Sequence, residues 1–226
     1  MTGIHQSVAG TARVLVTPKI EGYSSLAQDG ADFIDLPPPT GVASGRLLIW
    51  GAVIASSGPI NTPGAPWTST SLAEDFIGSI RMRTFYRSLT GTETGNITCD
   101  ITGSAVDVSS WAIILSGVTG TPEVVSATAG ATANPDPASI TPSWGTASAT
   151  LYLPIVGYSS STSTSSVSSY PTNYTLQNSN VGGALISVSL GVCARRIVGS
   201  PENPGTYTLS ASVTNNVTHT IAVRSS

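Results

Sequence analysis

The sequence predicts an all-β fold: an antiparallel β-sandwich of jelly-roll type built from two pseudo-repeats with their strands shared between the sheets, and with an N-terminal strand or arm. Three observations carry the expectation. Short apolar runs bounded by turn residues recur along the chain, and no segment sustains a helical period. Charged residues make up only 9 % of 226, against roughly 25 % in ordinary domains, while 23 glycines and 15 prolines supply turns. Finally, the chain says the same thing twice. Gly45-Arg46-Leu47-Leu48-Ile49-Trp50-Gly51-Ala52-Val53-Ile54-Ala55 reads as a strand buried on both faces, and Ser148-Ala149-Thr150-Leu151-Tyr152-Leu153-Pro154-Ile155-Val156-Gly157-Tyr158 has the same shape. The loops and strands after each copy also correspond, so an internal duplication over about 36–120 and 138–226 is expected.

Taken in order, residues 1–30 differ in texture from the 31–226 sandwich. Met1 to Ser7 has neither a basic opening nor an apolar core, so no secretory signal is expected. Thr11 to Pro18 is a candidate strand followed by the polar Glu21 to Ser25, and the segment reads either as the first strand of the domain or as an arm that orders on a neighbour. Asp29, Asp32 and Asp35 lie three apart, not at the two-residue spacing around glycine of a calcium loop, and read as a solvated lead-in. Leu36-Pro37-Pro38-Pro39-Thr40-Gly41 then forces extended backbone poor in donors, and the first buried strand begins.

Its polar loop closes on Pro63-Gly64-Ala65-Pro66-Trp67-Thr68, matched after the second copy by Tyr170-Pro171-Thr172-Asn173-Tyr174-Thr175. Next come the strands Ile80 to Arg87 and Ala184 to Arg195. In the first, period two sets Arg81, Arg83, Phe85 and Arg87 on one face and Met82, Thr84 and Tyr86 on the other. That basic face is open to two readings: a patch that docks an acidic partner, or the wet side of an antiparallel strand. Turns carrying Glu93 and Glu202 come after these strands, each acid most simply capping its turn by accepting backbone N–H groups. Trp111 to Leu115 and Thr220 to Arg224 close the halves. Gly117 to Gly145 is the expected link between the halves, a crossover or, if there are two domains, their boundary, and Ser159 to Ser169 is an exposed loop tip. Trp67, Tyr170 and Tyr174 fall at matching places, where aromatics serve either as sugar or protein contacts or as plugs of the sandwich end.

The residues offer little chemistry. Of two histidines only His219 lies in a strand, and no Gly-x-Ser-x-Gly elbow accompanies it. Glu74-Asp75, the one adjacent pair of acids, would point to opposite faces of a strand, which does not build a glycosidase site. Two cysteines and two histidines show no zinc spacing, and no phosphate-binding glycine pattern opens a helix. No catalytic residue, cofactor or metal is therefore expected. A formal charge of −3 and the absence of a long apolar run argue against nucleic acid and membrane as partners. Cys99 and Cys193 lie on strands of opposite halves, where a bridge is conceivable, but without an export route buried thiols are expected, and the Asn96, Asn173 and Asn216 sequons then carry no meaning.

The order Leu36-Pro37, Ala43-Ser44-Gly45-Arg46-Leu47-Leu48-Ile49, Pro63-Gly64-Ala65-Pro66-Trp67-Thr68, Tyr86-Arg87, Gly91-Thr92-Glu93, Ile97-Thr98, Trp111-Ala112-Ile113, Ser116-Gly117-Val118, Asn203-Pro204-Gly205 and Thr220-Ile221-Ala222-Val223-Arg224 resembles a family of β-rich structural proteins of tailed bacteriophages and prophages, over about 33–226. Arg46 stands where those proteins usually carry an acid. The resemblance implies a non-enzymatic virion protein, on the capsid surface as cement or decoration, or on a tail appendage. Its partners would be the major capsid protein or tail proteins and other copies of the chain. The alternative is a tail-fibre or adhesin module binding host glycan through Trp67, Tyr170 and Tyr174, with Arg81, Arg83 and Arg87 as further partner-binding candidates.

Overall fold

The computed structural model describes residues 16–103, 105–145, 148–160, 165–181, 187–199 and 201–226. The described residues hold strands and no helix. The first half contains β1 (Lys19–Ala31), β2 (Phe33–Leu36), β3 (Leu47–Ile54), β4 (Thr70–Ile77), β5 (Ile80–Ser88), β6 (Ile97–Asp100) and β7 (Val106–Ser116). The second contains β8 (Val118–Ala129), β9 (Ala149–Ser160), β10 (Val167–Ser169), β11 (Thr175–Val181), β12 (Ser187–Val198), β13 (Thr208–Leu209) and β14 (Asn215–Ser225).

Two antiparallel five-stranded sheets result, ordered β1-β7-β3-β5-β4 and β8-β14-β9-β12-β11. Position for position the orders match, so the duplication read from the sequence is present in the topology. It begins at β1 and β8. Each sheet is drawn from one half of the chain, which corrects the expectation that the halves share strands between sheets: the ladders of each half close on themselves, through the two-residue turn between β4 and β5 and across longer connections elsewhere.

The sheets face each other across an apolar layer. Leu47, Ile49 and Val53 of β3, with Trp111, Ile113 and Leu115 of β7, meet Leu151, Leu153 and Ile155 of β9 and Val217, Ile221 and Val223 of β14. Alternate residues of the same strands are apolar too, because each sheet's outer face is roofed. On the first, the β2–β6 ribbon and the loop through Ile60 and Trp67 cover Leu48, Trp50, Ala52 and Ile54. On the second, Tyr174, Tyr207, Leu209 and Val213 cover Val156 and Tyr158, and Ile140 covers Tyr152. This is why β3 and β9 read as continuous apolar runs: neither has a wet face.

Three further expectations change. Gly117 to Gly145 is not a linker, since Val118–Ala129 is the edge strand β8; Gly120 and Pro122 disguised it, and an edge strand tolerates both. The crossover is the single residue Gly117, at φ +66°. The first strand starts at Lys19 and includes Glu21 to Ser25; Thr11 to Leu15 of the expected strand lie outside the described residues, as do Ala184 to Ile186 of the strand before Arg195. Of the Ser159 to Ser169 loop tip, Ser159 and Ser160 end β9 and Val167 to Ser169 form β10, while 161–164 lie outside the described residues.

Gly117 accordingly fixes how one sheet passes into the other. A Cβ there would lie 2.7 Å from the Thr17 carbonyl oxygen and 2.8 Å from a Val16 methyl. Gly120, at φ +75°, has open space around it. Gly117→Ala should cost about 2–3 kcal/mol, the left-handed backbone plus the clash, and Gly120→Ala about 1 kcal/mol, the backbone alone. Chemical denaturation of the two variants at matched conditions checks the ordering.

Candidate functional site

β5 carries the densest set of charged side chains, and its period is the expected one. Met82 enters the inter-sheet layer and Thr84 faces the opposite sheet, while Phe85 lies on the outer side, stacked on Trp50 at 4.4 Å between ring centroids. Arg81, Arg83 and Arg87 share that outer side, but it is not wet. The roof reaches it, and the guanidinium groups bond to the roof. Arg81 pairs with Glu74 at 2.6 Å, donates to the Ser57 carbonyl at 2.6 Å and lies over Phe76. Arg83 bonds Ser71 and the Ile60 carbonyl and lies over the Phe85 ring. Arg87 bonds the Pro66 carbonyl and the Glu93 carboxylate. The three side chains are at most 20 % exposed. Neither sequence reading of this face holds as stated: the arginines are neither a free docking patch nor a solvated edge, but ties between sheet and loops. Loop carbonyls that lose water need donors, and an arginine offers several from one planar head.

The tie at Arg87 recurs in the second half. Arg87 stands opposite Leu48 on β3, and Arg195 opposite Tyr152 on β9. Arg87 meets Glu93 at 2.7 Å; Arg195 meets Glu202 at 3.0 Å. Each carboxylate also binds its local turn or roof. Glu93 accepts from Thr90 N–H and O–H, both at 2.8 Å, and from Gly91 N–H at 2.9 Å. Glu202 accepts from the Tyr174 hydroxyl at 2.6 Å. Glu93 thus caps its turn as the sequence suggested, whereas Glu202 accepts from side chains. Burial works against the Glu93 charge, yet the donors of Thr90 and Gly91 overcome it and bring the pKa down to about 2. For Tyr174 burial, reinforced by the bond to Glu202, drives the phenol far above its ordinary value.

The aromatic loops plug rather than gather. Trp67 is buried in the roof of the first sheet, donating from Nε1 to the Gly95 carbonyl at 3.2 Å. Tyr174 is buried in the roof of the second. Tyr170 is half-buried, edge-on to Tyr207 at 5.7 Å. The duplication that puts these rings at matching places in the sequence puts them on opposite outer faces of the sandwich, so Trp67 and Tyr174 do not form one contact surface. Cys99, in the β2–β6 ribbon over the first sheet, and Cys193, on β12 beneath the roof of the second, are buried free thiols, and burial pushes both up to about 12.

One cluster escaped the sequence reading. His219 of β14 lies wholly buried between the sheets, with Nδ1 2.8 Å from Thr84 Oγ1 and Nε2 3.0 Å from Asp75 Oδ2. A carboxylate, an imidazole and a hydroxyl in that order match the parts list of a hydrolytic triad. Thr84, however, is fully buried, so no substrate atom reaches its oxygen. With its proton on Nε2 the ring donates to Asp75 and accepts from Thr84, which satisfies both nitrogens and pins β14 to β4 and β5. The bond from His219 holds the Asp75 carboxyl below its usual range against burial, with Ser126 adding a second. The sequence offered His219 alone; Thr84 and Asp75 are polar residues at inward positions of their strands, a signal that becomes visible only once the faces are known.

Compared with known proteins, the chain matches no family model, no curated protein and no solved structure. Among the described residues no cluster of His, Cys, Asp and Glu is arranged to hold a metal, and no helix is long and apolar enough to cross a membrane.

These ties have two measurable outcomes. Because the folded pKa of Glu93 is depressed, its stabilisation is fully present above the unfolded value of about 4.3 and is lost as pH falls toward 2. Glu93→Gln should therefore cost about 3 kcal/mol at neutral pH, with the gap to wild type closing in acid; unfolding free energies measured from pH 7 down to 2 check it. Thr84→Val keeps the side-chain volume and leaves His219 Nδ1 without its donor, for a loss of about 1–3 kcal/mol in denaturant midpoint analysis.

Proposed function

We propose that this chain is a non-enzymatic structural protein of a tailed-phage virion, attached to the particle surface as a capsid cement or decoration protein. The observation that carries the reading is the direction in which its reactive residues point. Arg81, Arg83, Arg87, Arg195, Glu93, Glu202, His219 and both cysteines are bonded or buried inside the sandwich and its roofs. The outward side is dominated by neutral hydroxyl and amide side chains on edge strands and loops. Such a surface works by area and shape complementarity, in the manner of a lattice clamp that bridges neighbouring subunits. The phage assignment itself comes from the order of strand and turn motifs from Leu36 to Arg224, and the major capsid protein is the natural partner.

The adhesin reading, a tail-fibre module binding host glycan, has one residue in its favour: Tyr170 is only half-buried, next in sequence to the Ser-rich stretch. Saturable glycan binding lost in Tyr170→Ala would move the protein to that class. For the cement reading, particles assembled without this protein should lose heat or chelator resistance, measured as surviving titre after a common challenge. Equal survival of depleted and complete particles contradicts it.

A further inference from the structure

The strand registers place unpaired charge at the two ends of the sandwich. Antiparallel pairing brings the end of β1 at Ala31 beside the start of β7 at Val106, and Phe33 of β2 beside Asp100 of β6. Asp29, Asp32, Asp100 and Asp107 therefore share one end of the first sheet, where the Gly30 N–H reaches Asp107 and the Ile101 N–H reaches the Asp32 carbonyl. None of the four is in an ion pair among the described residues. Phe33, 47 % exposed, stands among them. At the opposite end Gly117 carries the chain from β7 into β8, so the ends of β12 and β14 and the start of β9 belong there. A shallow apolar depression lies at that end, lined by Thr17, Ala149, Arg196, Ile197 and Val198. Val198 is 71 % exposed. The Arg196 side chain has no ion pair or hydrogen bond among the described residues, and the Arg224 side chain, on the strand flanking β9 from the other side, has only a 3.4 Å bond to Ser148.

We infer that these two ends are complementary and that copies of this chain associate head to tail. Phe33 of one copy seats in the Val198 depression of the next, with Asp100 meeting Arg196, which shares a face with Val198, and Asp32 meeting Arg224 on the other face of the same sheet end. The charges do not meet within one molecule: a β9 of 12 residues sets the ends about 40 Å apart, several times the ~8 Å screening length at physiological salt. Almost every other cation among the described residues is already spent on an internal tie, which leaves the two arginines as the attraction for a carboxylate from outside. The contact joins two different patches, so it propagates into a row or closes into a ring, and does not stop at a symmetric dimer. The inference concerns the chain by itself and stands apart from any attachment to a particle.

Sedimentation velocity on the full chain tests it, as a concentration series at about 0.01 M and about 1 M ionic strength, where screening lengths are ~30 Å and ~3 Å. The sedimentation coefficient should rise with concentration at low salt and stay that of a monomer at high salt. Arg196→Glu with Arg224→Glu should remain monomeric at low salt, and so should Asp32→Lys with Asp100→Lys. Mixing the two variants should restore association, because each then presents the charge the other lacks; recovery in the mixture also shows that both are folded. A monomer at every concentration in low salt overturns the inference. So does association that persists in either charge-reversed variant alone, or a mixture that stays monomeric.

Discussion

Leu47, Ile49 and Val53 on one sheet, and Leu151, Leu153 and Ile155 on the other, meet in the apolar layer that closes the molecule, and the rest of the structure answers to it. The strands that supply this layer also carry Leu48, Trp50, Ala52, Tyr152, Val156 and Tyr158 on their outer sides. A two-layer sandwich would leave that second set in water. Each half therefore folds its long connections back over its own sheet, and covering the sheet with irregular backbone creates a second requirement: loop carbonyls and turn N–H groups must find partners away from water. The arginines of β5 bond the Ser57, Ile60 and Pro66 carbonyls, and Glu93 accepts the turn N–H groups of Thr90 and Gly91. The polar chemistry of this chain is a consequence of roofing two sheets that are apolar on both faces.

The low charge content is accordingly not a shortage. Most charged side chains of the described residues have a structural destination, and the ion pairs at Glu93 and Glu202 are each completed by further hydrogen bonds, which is the condition under which a buried pair is tolerable. Pseudo-symmetry shows what is required and what is incidental. Arg87 and Arg195 occupy equivalent positions and find equivalent acids, while the aromatic above them is a tryptophan bonded to a carbonyl in one half and a tyrosine bonded to the acid in the other. The geometry of the tie persists; its chemistry drifts.

Much of the fold was legible because the sequence repeats itself and because strands buried on both faces read as unbroken apolar runs. The period of β5 was also legible, down to which residues share a side with Phe85. What lay on that side was not, since local alternation distinguishes two faces without saying which is covered, and here both are. The edge strand β8 was hidden for a related reason: Gly120 and Pro122 forbid a central strand but not an edge. The matched aromatics misled in an instructive way, since a sequence repeat folded into two facing sheets sends equivalent loops to opposite outer faces. His219 was visible as a lone histidine, but its partners come from strands more than a hundred residues away in the chain, beyond any local pattern.

On the proposed reading, a module whose reactive groups are turned inward acts through its surface and its number. Quantitative mass spectrometry of purified particles, referenced to the major capsid protein, measures that number directly. The account predicts copies on the scale of the capsid lattice; absence of the chain from purified particles would contradict it.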